Sequence, residues 1–130
     1  NACPAASVYG SAKATTPLFD QPFEGPVYLR SSNHKLPDLV AALHGPVDFN
    51  LVGRIDSKNK GIRTTFESPP DVPVTKFTLY MKGGSKGLLV NSRNICNATY
   101  SSNANLHGQN GRRQTQKPVL KNSRCKGKKK

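Results

Sequence analysis

Three cysteines, three histidines, seven carboxylates and a terminal run of lysines are the groups with which this 130-residue chain could do chemistry. Cys3, Cys96 and Cys125 show no C-x-x-C spacing, and His34, His44 and His107 lie far apart, so the ligand pattern of a zinc site is missing. Asp56 opens "DSKNKG", which has the look of a calcium loop, but the later acid is absent and two lysines intrude. The stretch "KGGSKG" (82–87) lacks the G-x-x-x-x-G-K-[ST] order of a phosphate cradle and fits a glycine-permitted turn. A hydrolase needs convergent acids or a Ser–His–Asp set. His44 with Asp48 is the close His/Asp pair, and a turn near an edge strand explains it equally well. No base or oxyanion motif accompanies any cysteine. The expectation is a protein that is not an enzyme, with no catalytic residue, metal or cofactor.

The charged residues are more informative. Residues 1–71 hold seven Lys/Arg and all seven acids, whereas residues 72–130 hold thirteen Lys/Arg and no acid. The whole formal charge of +13 therefore lies in the second half. Its densest part is Arg112, Arg113, Lys117, Lys121, Arg124, Lys126, Lys128, Lys129 and Lys130, nine cations in 19 residues. Such a cluster binds phosphate or sulfate polymers by releasing counterions, without reading sequence. Base recognition would need interleaved aromatics, and the cluster has none. An anionic cell-envelope polymer or a membrane surface is the partner such a cluster suits, sequence-specific nucleic acid is not, and a solvated tail is the equally weighted alternative. Residues 126–130 have no apolar anchor and read as a flexible basic tail.

The elements that must position these groups read as strands. Short β-branched and Thr-rich stretches alternate at period two, as in "SVYGSAKATT" (7–16) and in "VDFNLVGRIDS", where Val47, Phe49, Leu51 and Ile55 share a face. "TPLFDQPFEGP" (16–26), with three prolines, predicts an irregular connection, followed by a short strand over 27–31. "LPDLVAALHG" (36–45) reads as a strand ahead of a Gly45–Pro46 turn, with a short helix as the competing reading. "SKNKG" (57–61) is a turn between two strands of a hairpin, and "TKFTLYMKGG" and "KGLLVNS" (86–92) each predict a strand. Residues 97–109 and 112–120 predict a last hairpin around "GQNG", its second strand an edge because it is polar and carries Pro118. Eight to nine short strands at this spacing predict an all-β protein, an antiparallel β-sandwich of which the immunoglobulin-like arrangement is one form. At this length the reading is one module over 1–125. No apolar run approaches a membrane span, and a chain beginning at Asn1 reads as a processed product or a fragment of a larger protein.

Cys96 and Cys125 bracket the last two predicted strands, and a bond between them would close a loop of about 30 residues, stabilising by about 3.5 kcal/mol in the chain-entropy model. Cys3–Cys125 and Cys3–Cys96 are the alternatives, each with a different cysteine left over. Paired cysteines imply an oxidising compartment, and hence an extracellular or cell-surface location.

The stretches "CPAASVYGSA", "GPVYLR", "LPDLVAALHG", "RIDSKNKGIRTTFESPPDVPVTKF", "MKGGSKGLLVNSRNIC" and "GQNG" before a basic tail cover nearly the whole chain. They resemble a C-terminal β-rich module of large secreted or surface proteins of bacteria. The resemblance implies an extracytoplasmic module whose covalent partner is the rest of a larger parent chain, with Cys3 paired to a cysteine upstream. It brings no catalytic residues. The resulting expectation is a non-catalytic structural or adhesive module. The alternative is a secreted carbohydrate-binding or small hydrolase domain, for which Tyr9, Tyr28, Tyr80 and Tyr100 supply the rings.

Overall fold

Period-two alternation of apolar residues dictates a pleated sheet with one greasy face, and the computed structural model, which describes residues 4–67 and 71–125, contains such a sheet. The chain is almost all β and divides into two compact units, Asn1–Leu89 and Val90–Lys130, where the sequence reading drew one module over 1–125. The first unit holds β1 (Val8–Thr15), β2 (Phe23–Arg30), β3 (Asp38–Leu43), β4 (Phe49–Lys58), β5 (Gly61–Phe66) and β6 (Lys76–Met81). All neighbours are antiparallel, in the order β5-β4-β3-β2-β1-β6. The second unit holds β7 (Ala104–His107) and β8 (Arg113–Gln116), paired with each other. The all-β, antiparallel, sandwich-like class expected from the sequence is what the chain adopts, with eight strands among the described residues.

Register decides which residues meet. The pairs Ala12↔Gly25, Val27↔Ala41, Leu43↔Phe49 and Ala12↔Leu79 put alternate residues of five adjacent strands on one face. Ala12, Phe23, Val27, Leu39, Ala41 and Leu43 form the buried core there, with Leu51, Ile55, Phe66 and Met81 packed against it. The sheet is curled about this face. Ile62 and Thr64 of β5 and Leu79 and Met81 of β6, at opposite ends of the strand order, line one cavity of about 210 Å³.

Two local readings are corrected, and the strand expected over 36–45 prevails over its helical alternative. Phe23–Pro26 belong to β2 and not to an irregular connection. Pro26 has no N–H to give β3, and the β2–β3 ladder runs only from Val27↔Ala41 to Arg30↔Asp38 before resuming at the Glu24↔His44 bridge. The helix considered for 36–45 loses to β3, because Leu39, Ala41 and Leu43 all reach the core by strand alternation. Residues 86–92 form no strand. A 3-10 turn at Gly84–Lys86, entered with Gly84 at φ 73°, redirects the chain, and Leu88 and Leu89 line the 210 Å³ cavity with their side chains instead of joining the ladder.

Candidate functional site

The basic cluster belongs to the second unit, and its scaffold is a hairpin with a covalent staple. Gly111 takes φ 79° and donates to the Gly108 carbonyl at 3.0 Å, while Gly108 donates to the Arg112 carbonyl at 2.8 Å, so the expected "GQNG" turn closes β7 onto β8. Asn110 Oδ1 accepts from the Arg112 N–H at 3.1 Å, and Asn105 Oδ1 accepts from the Thr115 hydroxyl at 3.0 Å across the pair. The pairing continues past β8 through the Ser101↔Val119 bridge and the Leu120 N–H to Tyr100 carbonyl bond of 2.8 Å. Cys96 and Cys125 are joined by a disulfide, with Cα atoms 5.4 Å apart. Asn94 Oδ1 accepts from the Cys96 N–H, and Asn122 contributes an Oδ1 acceptor to the Arg124 N–H and an Nδ2 donor 3.3 Å from the Cys96 sulfur. The two asparagines thus order the chain on either side of the staple.

Arg112, Arg113, Lys117, Lys121 and Arg124 are all exposed on this unit. Arg113 lies opposite His107, and alternation along the strand puts Arg113 and Thr115 on one face of the hairpin, with Lys117 immediately after β8. On the hairpin, Leu106, Gly108, Arg112, Arg113 and Gln114 line a depression of about 390 Å³. Among the described residues none of the five cations has an ion pair, the basic partners of the described pairs being Lys13, Arg30, His34, His44 and Arg63. Residues 90–130 hold ten Lys/Arg and no Asp or Glu. Lys126, Lys128, Lys129 and Lys130, with the tail they belong to, and Cys3 lie outside the described residues.

The first unit carries the groups weighed for a hydrolase or a sugar binder. His44 Nδ1 stands 3.2 Å from Asp48 Oδ1, and both side chains are half exposed or more. A second pair, which sequence reasoning passed over although its spacing is the same, is tighter. His34 Nε2 is 2.9 Å from Asp38 Oδ1, and Arg30 donates to Asp38 Oδ2 at 3.2 Å. Desolvation pushes the Asp38 carboxyl up, but the hydrogen bonds and charges of His34 and Arg30 together outweigh it and hold the group below its ordinary value. Asp38 and Glu67 share a polar depression of about 380 Å³, so the structure brings two carboxyls to one surface. A carboxyl held ionised is suited to fixing its partners, and not to donating a proton near neutrality. Ser32 turns its hydroxyl to the Leu36 carbonyl at 2.6 Å, so it pins the 32–36 loop. Of the tyrosines here, Tyr28 is buried and Tyr80 is largely exposed beside Ser11, Lys13 and Thr78 in a shallow depression.

The curled face bears a second cavity, about 340 Å³ and almost wholly apolar, lined by Phe19, Phe23, Phe49, Phe77, Val47 and Val74 among others. Phe23 meets Phe19 and Phe49 edge to face, at 5.8 and 5.3 Å between ring centres. Among the described residues no three His, Cys, Asp or Glu side chains gather to hold a metal, and no helix is long and apolar enough to cross a membrane. No protein-family model, curated protein or solved structure matches the chain.

Proposed function

We propose that the chain is a non-catalytic structural or adhesive module of a secreted or cell-surface bacterial protein, and that its C-terminal unit contacts anionic envelope polymers. The carrying observation is an acid-free unit whose five described cluster cations are exposed, without ion pairs, and displayed on a disulfide-closed hairpin. A preformed scaffold lowers the ordering cost of binding a long polyanion, and counterion release supplies the affinity. The disulfide supports an oxidising compartment. The resemblance to C-terminal modules of large bacterial surface proteins supports the parent chain as covalent partner.

The test is retention of the 130-residue chain on immobilised lipoteichoic acid and on heparin as salt rises. With about four cations engaged, the slope of log affinity against log salt is near −3 to −4, by analogy with nucleic-acid polyanions. Replacing Arg112 and Arg113 together by Gln makes it shallower by about 2. Absence of retention even at low salt would leave a spacer role alone.

A further inference from the structure

Among the described residues, strand β6 ends the order of the six-strand sheet and pairs with β1 alone. The Lys82 N–H donates to the Tyr9 carbonyl at 2.8 Å, which makes 9 and 82 a hydrogen-bonded pair. Alternation along an antiparallel ladder then turns the backbone groups of Lys76, Thr78 and Tyr80 toward β1, and those of Phe77, Leu79 and Met81 outward. The same three residues aim their side chains into the curled apolar face, Phe77 into the 340 Å³ cavity and Leu79 with Met81 into the 210 Å³ one. Phe77 and Leu79 are still about two-fifths exposed, and Ile62 across the smaller cavity is 61% exposed. Among the described residues, edge groups outside the ladder and partly exposed apolar side chains therefore coincide, in phase, on one strand, with Leu88 and Leu89 bordering only the smaller cavity.

We propose that the β6 edge and the cavities beside it accept one extended strand of a partner polypeptide, apolar at three alternate positions and acidic at both ends. An antiparallel strand would hydrogen-bond to Phe77, Leu79 and Met81, and the residues opposite these three would point into the cavities. The next positions out lie opposite Lys76 and Lys82, on the other face, where a carboxylate completes a cross-strand pair, at Lys82 with an exposed ammonium that also donates to the Val8 carbonyl at 3.0 Å. Charge also argues against a second copy of this chain, because two-fold pairing of β6 about Leu79 sets Lys76 against Lys82 twice. An acyl chain would fill the cavities but leave the edge N–H and C=O groups without partners. The inference does not depend on the polyanion reading, which concerns the other unit.

The probe is the peptide acetyl-Asp-Val-Thr-Val-Thr-Val-Glu-amide, added to the isotope-labelled 130-residue chain. Saturation is expected to slow amide exchange at Phe77, Leu79 and Met81 at least about tenfold, with little change at Thr78 and Tyr80. N-methylation of the three valines is expected to abolish binding. Reversing charge at both Lys76→Glu and Lys82→Glu is expected to weaken this peptide about tenfold and to favour its lysine-flanked counterpart, with Lys76→Glu alone acting in the same direction. Unchanged exchange at millimolar peptide overturns the proposal, as does equal binding of the N-methylated peptide. Self-association that already protects the β6 amides, or displacement of the peptide by decanoate without loss of their protection, overturns it too.

Discussion

Reduction of the Cys96–Cys125 bond should dismantle the second unit and leave the first standing. The second unit has no fully buried residue among its described positions, and its ladder is two strands of four residues. A lone two-stranded hairpin is marginal in water, and a unit of about 40 residues needs a staple. The bond spans a sequence separation of 29. In the chain-entropy model such a loop costs the unfolded chain about 3.5 kcal/mol of freedom, which bounds the loss in local protection at about 400-fold. Hydrogen exchange of the Cys96→Ser, Cys125→Ser variant, or of reduced native chain, reads this directly. Amides of 104–107 and 113–116 should fall to nearly free-chain exchange rates. Those of Val27, Leu39 and Ala41 should stay protected, because their core is made by β1 to β4. Undiminished protection of β7 and β8 after reduction would refute the reasoning, since it would mean that side-chain packing, not the covalent loop, holds the hairpin.

Leu43 is fully buried, so Leu43→Ala should cost the first unit about 2–5 kcal/mol, measured by urea unfolding. Gly25→Ala should destabilise by at least about 2 kcal/mol in the same assay, because a Cβ there would stand 1.7 Å from the Ala42 carbonyl oxygen and force β2 from β3. Asp38 has its folded-state pKa lowered, so its contribution is fully present above the ordinary aspartate value and is lost as pH falls through the lowered one. Asp38→Asn should flatten that part of the acid limb, and a carboxyl-carbon NMR titration should show the lowered midpoint in the parent chain. In Asp56, the Arg63 hydrogen bond is the main cause of a shift in the same direction, so Arg63→Gln should raise the Asp56 midpoint toward its ordinary value.

Much of this architecture could be read from residue types, because strand alternation and turn chemistry are local. Phe77, Leu79 and Met81 reveal their shared face at period two, and "SKNKG" announces a hairpin turn, which the Lys58↔Gly61 pairing narrows to two residues. The structure pays for that turn by holding both Asn59 and Lys60 at positive φ, 53° and 64°. The strands that Cys96 and Cys125 bracket favoured their pairing, but the spacing left Cys3 as a competing partner for either, and the structure joins Cys96 to Cys125. What escaped was non-local. Nothing near Pro26 reveals that its missing N–H falls where β3 can do without it. Leu88 and Leu89 look like a buried strand, but whether a leucine pair joins a ladder or caps a cavity depends on strands far away in sequence. His34 and Asp38 have the same spacing as His44 and Asp48. The difference lies in Arg30, which joins Asp38 only through the β2–β3 register.

Residues 90–130 carry no carboxylate, and this bears on how their charge responds to pH. Apart from His107, this unit has no side chain of a type that titrates between about pH 5 and 8. If this unit holds a polyanion as proposed above, the association should therefore respond to ionic strength far more than to acidity.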